Sequence, residues 1–141
     1  YFWEIQDPGN SGTVIRTAEA LGFDAVVFST NSVDAYSPKT VRATVGALWH
    51  IPVVQGVGLE ELMEFAQANE FFTIALAGDG SGSILDLPKN DKSILIFGNE
   101  ARGLPEISGV KARVAIPMTG RSESLNVASA AAIAMFEVGI R

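Results

Sequence analysis

The chain has 141 residues, 48% of them hydrophobic, with a net charge of −6, one histidine and no cysteine. These values suit one compact domain and exclude disulfides, thiolate metal sites and a histidine cluster for zinc or iron. No apolar run reaches the roughly 18 residues of a membrane span and no basic leader precedes a cleavage site, so a soluble, cytoplasmic protein is expected. An acidic total argues against a nucleic-acid surface. However, Arg16, Lys39, Arg42, Arg102 and Arg121 lie in or beside the polar stretches described below, while acidic residues gather in "LEELMEFAQANE". A local basic site on an acidic domain is compatible with this distribution.

Strand and helix patterns alternate along the chain. "YFWEIQ" reads as strand, so the chain is expected to begin inside a longer protein with an N-terminal domain ahead of it. "DPGNSG" leads into a helix over "TVIRTAEALGF", followed by a strand at "AVVFS", a helix over "SPKTVRATVGALWH" and a strand at "IPVVQ". "GLEELMEFAQANE" carries Leu59, Leu62, Phe65 and Ala66 at helical spacing, and the short strands "FFTIALA", "SILIFG" and "ARVAIP" precede a final helix. Continuous apolar strands alternating with helices predict an α/β fold with a parallel sheet flanked by helices. Mobile segments are expected at "STNSVDAYSPK" and "GDGSGSILDLPKNDK".

Ligands in parallel sheets sit beyond the carboxyl ends of the strands, and three segments there carry polar residues. In "DPGNSGTVIRTA", Pro8 and Gly9 make a turn, Asn10 is a good N-cap, and Arg16 leans back toward the mouth that Asn10 lines, on a helix whose core side is Val14, Ala18 and Leu21. A turn, a cap and a solvated arginine account for it equally well. In "ILIFGNEARGL", Gly98 lets a ligand approach the backbone, Asn99, Glu100 and Arg102 follow at the rim, and Gly103 permits a bend. A strand-to-loop transition explains the glycines but not the polar residues between them. In "GRSESLNVASAAAIAMFEV", Ser124 is a plausible N-cap, Asn126 both donates and accepts, and the apolar helix behind is expected to be buried all round, by the fold or by a second subunit. A capped core helix is the alternative.

In order and spacing, "DPGNSGTVIRTA", "ILIFGNEARGL" and "IPMTGRSESLNVASAAAIAMFE" resemble the three motifs of the SpoU branch of the SPOUT superfamily of RNA methyltransferases. The resemblance covers essentially the whole chain. An N-terminal RNA-recognition domain, common in the family, is expected to precede these residues. The family implies a deep C-terminal trefoil knot, a homodimer with the active site at its interface, and S-adenosylmethionine as cofactor; since the final helix has no continuous polar face, the dimer is expected to join through the first and last helices. It also implies methyl transfer to a ribose 2'-hydroxyl without a metal, ribosomal RNA being the first expected substrate and transfer RNA the second.

By motif position the implied catalytic set is Asn10, Arg16, Glu100, Ser124 and Asn126. The implied cofactor contacts are Leu76, Ala77, Gly78, Phe97, Gly98, Asn99, Ile116, Met118, Ser124, Leu125 and Asn126. A guanidinium holds its proton tightly, so Arg16 is expected to clamp the RNA phosphate and stabilise the forming oxyanion, with Glu100 orienting it or taking the proton through water. Arg16 as general base is the other possibility. A charge at Ala131 is expected to cost both dimer and activity. "GDGSG" at 78–82 lacks the final glycine of a dinucleotide loop and no clear helix follows it. An RNA-binding member without catalysis and an ordinary nucleotide-binding domain are the rival classes.

Overall fold

Short apolar runs become the strands of a parallel sheet. In the computed structural model, which describes residues 1–88 and 90–139, these are β1 (Val26–Phe28), β2 (Val53–Gln55), β3 (Phe72–Leu76), β4 (Gly82–Ser83), β5 (Ser93–Phe97) and β6 (Ala112–Ala115). β1 pairs with β2, and the other four lie in the order β4-β6-β3-β5, every pairing parallel. Phe2 joins the two groups by bridging to Phe28 on one side and Phe97 on the other. Its N–H donates to the Val27 carbonyl at 2.9 Å, and the Trp3 N–H donates to the Phe97 carbonyl at 2.8 Å. The expected opening strand "YFWEIQ" thus contributes only a bridge. At Glu4 the backbone turns into the left-handed region, φ 51°, and leaves the sheet.

Both faces of the sheet are covered, as the continuous apolar strands predict. Ile74, Leu95 and Phe97 point into a core shared with α1 (Pro8–Ala20) and α4 (Val127–Gly139), whereas Ala75 and Ile96 pack with Leu62 of α3 (Leu59–Ala68) and with Leu104 and Ile107. The period-two alternation of strand side chains divides them between two layers. α1 packs closely on α2 (Pro38–Thr44) because Gly12 has no side chain: a Cβ there would stand 2.7 Å from the Thr40 carbonyl oxygen.

Several helix expectations are corrected. α1 begins at Pro8 rather than Thr13, and its N-cap is Asp7, whose Oδ1 accepts from the Asn10 N–H at 2.8 Å; Asn10 is not the cap, and Pro8 and Gly9 form the first turn. Proline is preorganised for the first helical position, which has no partner for an N–H. The helix expected over 37–50 breaks after Thr44, where Val45 and Gly46 are both left-handed, and resumes only as a 3-10 turn at Ala47–Trp49. Phe65, expected on the core side of α3, is exposed, while Leu62 and Ala66 are buried. Within "GDGSGSILDLPKNDK" the structure has β4 and a 3-10 turn at Ile84–Asp86. Among the described residues no helix is long and apolar enough to cross a membrane.

Candidate active site

Because the strands are parallel, the carboxyl ends of β3, β5 and β6 open at one edge of the sheet. A cleft of about 490 Å³ lies there, floored by Leu76–Gly78, Phe97, Gly98 and Ile116, with Asn99–Gly103, Met118 and Glu123–Leu125 around it. Every expected cofactor contact lines it except Asn126. A shallower depression of about 730 Å³ adjoins it, lined by Gln6, Asp7, Asn10 and Asn126, and the two share Asn99, Glu100, Ser124 and Leu125.

The loop after β5 is built by its own sequence. Asn99, buried, accepts at Oδ1 from the Ala101 and Arg102 N–H groups at 2.9 and 3.0 Å, an Asx turn. Asn99 and Gly103 then exchange backbone hydrogen bonds, with Gly103 at φ +66° closing the loop. The glycine at 98 serves this closure: a Cβ there would lie 2.4 Å from the Gly103 carbonyl carbon. The close neighbour expected to be a ligand is therefore the chain's own backbone. Since backbone cannot swing aside as a side chain can, Gly98→Ala is expected to lower stability by about 1–3 kcal/mol, read from denaturant midpoints. An unchanged midpoint would mean the loop is not closed this tightly. Gly80 has a similar role, its absent Cβ leaving room for the Val114–Ala115 backbone, so "GDGSG" packs against β6.

Three motif segments meet through their polar side chains. Asn126 Nδ2 donates to Asn10 Oδ1 at 3.0 Å, and Asn10 Nδ2 donates to Glu100 Oε1 at 3.3 Å. The other end of the Asn126 amide caps α4, its Oδ1 accepting from the Ala128 and Ser129 N–H groups. Asn126 is thus the N-cap in place of Ser124, and its donor end is fixed toward Asn10. Ser124 stands on the wall common to both lobes.

Arg16 lies outside this constellation. It is exposed and lines neither lobe, and its side chain makes no hydrogen bond or ion pair among the described residues. Six residues along an α-helix amount to about 9 Å of rise and about one and two-thirds turns, which puts Arg16 on another side of the helix from Asn10 and farther than an N-terminal lean recovers. α4 is covered only in part by its own chain. Its core side includes Ala131, fully buried, but Ile133 and Phe136 are 44% and 57% exposed.

Sequence reasoning missed Asp7, Gln6, Glu4 and Glu123. Asp7 was legible, since proline at the first helical position assigns the cap to the residue before it. Glu100 and Glu123 on the rim are in no ion pair among the described residues, whereas Arg102 pairs with Glu4. No group of three or more His, Cys, Asp and Glu among those residues is placed to hold a metal ion.

Fold and site define a parallel α/β protein with an apolar cleft beyond its strand ends and an amide–carboxylate network at the rim. The model of the SpoU rRNA Methylase family matches residues 1–136. The chain is 37% identical over 136 residues to the 23S rRNA (guanosine(2553)-2'-O)-methyltransferase RlmP of Bacillus subtilis, covering 95% of this chain and 54% of that protein. The structure of the SpoU methyltransferase AviRb from Streptomyces viridochromogenes in complex with AdoMet superposes with a TM-score of 0.91 at 30% identity, covering 99% of this chain and 55% of that one. An AdoMet-bound rRNA methyltransferase from Sinorhizobium meliloti matches with a TM-score of 0.91 at 35% identity over 97% of this chain and 53% of that one. The chain belongs to the SpoU rRNA methylase family, and it spans about half the length of these relatives.

Proposed function

We propose that this chain is the catalytic domain of an S-adenosylmethionine-dependent RNA 2'-O-methyltransferase acting on ribosomal RNA in the cytoplasm, as a homodimer. The observation that carries the reading is the meeting of all three motif segments at one cleft, through the Asn126–Asn10–Glu100 hydrogen bonds. Transfer RNA is the second substrate to test. The trefoil knot belongs to the same reading. The insertion of β6 between β3 and β4 and the packing of α4 on α1 support it.

The cleft suits the cofactor on chemical grounds. Its volume is that of a small-molecule site. Exposed Met118 and Leu125 offer apolar contact to a flat base, and Glu100 and Glu123 offer two carboxylates to a cation-bearing ligand. Leu76, Phe97 and Ile116 would pack against the cofactor, and Asn99, held by its turn, would keep the loop amides in place. Bound there, the cofactor supplies a methyl group made electrophilic by a sulfonium. Asn10 and Asn126 fix the Glu100 carboxylate at the junction of the two lobes, where it can orient the ribose hydroxyl or receive its proton through water. Arg16, supplied from a partner subunit, would clamp the RNA phosphate and stabilise the developing negative charge.

S-adenosylhomocysteine is expected to bind without divalent metal, measured by calorimetry, and bulk ribosomal RNA to accept labelled methyl groups. A folded protein with no heat of binding at millimolar ligand would defeat the cofactor assignment. Binding without methyl transfer would favour the RNA-binding member that lacks catalysis.

A further inference from the structure

We propose that Glu4 and Trp3 are positioning residues that hold Arg102, and with it the 98–103 loop, in the shape the cleft requires. Glu4 is a non-glycine residue at φ 51°, a left-handed conformation that a side chain disfavours. It stays there because every polar group it has is engaged. Its N–H donates to Ser29 Oγ at 2.6 Å, its carbonyl accepts from Asn99 Nδ2 at 2.8 Å and Gln6 Nε2 at 3.2 Å, and its carboxylate pairs with the Arg102 guanidinium. A disfavoured backbone held from so many sides is a feature that collects at functional sites.

The geometry assigns a direction to this clamp. Trp3 and Glu4 follow Phe2, which is fixed in the middle of the sheet, so they are the rigid side. The 98–103 loop is the side being held. It is gripped twice, at Asn99 through the Glu4 carbonyl and at Arg102 through the Glu4 carboxylate, while the guanidinium carbon lies 5.5 Å from the centre of the Trp3 ring. An exposed ion pair alone would contribute little. Here the Glu4 side chain is only 16% exposed and the cation is seated on an indole face. The loop it holds supplies Asn99, Glu100 and Arg102 to the cleft wall. The clamp also occupies the one cation of that wall among the described residues, leaving the Glu100 and Glu123 carboxylates to face a positively charged ligand.

The role in cofactor binding rests on the function proposed above; the effect on the loop does not. The test measures both in Glu4→Gly, Glu4→Gln and Arg102→Gln and in the double variant Glu4→Gln/Arg102→Gln. Glu4→Gly relieves the left-handed strain, so its thermal midpoint should stay near that of the parent, whereas a merely structural role predicts that affinity follows stability. Each single variant is expected to weaken S-adenosylhomocysteine roughly five- to ten-fold by calorimetry, and the double variant no further, since both remove one interaction. Hydrogen exchange at Ala101 and Arg102 should quicken by about ten-fold or more while the β3 and β5 amides hold their protection. If exchange in the loop is unchanged, or if the parent binds and every variant binds within two-fold of it, the clamp is refuted. A parent that binds no cofactor refutes the function reading instead, and loop exchange still decides the clamp.

Discussion

Arg16→Ala is expected to abolish methyl transfer to RNA while leaving affinity for S-adenosylhomocysteine within a few-fold. The separation follows from position. Arg16 lines neither lobe of the cleft of its own protomer, so removing it takes nothing from the walls that would contact the cofactor. In the proposed dimer its guanidinium would serve the RNA side of the partner subunit's site. Arg16→Lys is expected to recover little, because a single ammonium cannot reproduce the planar fork of donors that grips a phosphate. Turnover by a filter-binding methylation assay and affinity by calorimetry separate the two effects. Near-normal turnover by the lysine variant would refute the geometric role, and a large loss of cofactor affinity in the alanine variant would return Arg16 to the cleft.

The second large effect is expected at the exposed face of α4. Ser129, Ile133 and Phe136 follow the four-then-three spacing of one helix side, and the two large ones stand in water in the single chain. Burying such a side chain yields on the order of 2 kcal/mol, and the central aromatic of an interface often contributes more. Phe136→Glu should therefore weaken dimerisation by at least about 100-fold and reduce turnover with it, while the thermal unfolding of the single domain changes little. Ala131→Glu cannot serve for this test: Ala131 lies fully inside its own core, and a carboxylate there would unfold the chain. Sedimentation at micromolar concentration, beside the methylation assay, gives the result. An active monomer would overturn both the shared site and the assignment of Arg16 to it.

Much of the site was legible because its signals are local. The apolar runs that became β3, β5 and β6 carry their own boundaries, and the residues after them line the cleft for the general reason that parallel strands end together. What was illegible depended on choice among equals or on distance in sequence. Asp7 and Asn10 are both good caps, as are Ser124 and Asn126, and only the register of the helix tells them apart. Arg16 was misplaced because a lean of the side chain was weighed against too little helix. The break after Thr44 turns on left-handed Val45, a residue whose branched side chain gives no local sign of that conformation. The grip of Glu4 on Arg102 joins residues 98 apart in sequence, which no periodicity records.

The strand order has a bearing on how this molecule comes into being. Among the described residues β6 is the last strand in chain order, yet it lies between β3 and β4, both made before it. Until residues 112–115 arrive, β3 has one open edge and β4 has no partner at all. α4, with the Asn126 cap that points at Asn10, can only follow. A chain still emerging from the ribosome therefore has its first two motif segments without the third, and the rim network lacks its Asn126–Asn10 link. Acquisition of the site coincides with the last long-range closure of the sheet, a slow class of event. A chain that stops before α4 lacks Asn126 and with it the link between the third motif segment and Asn10.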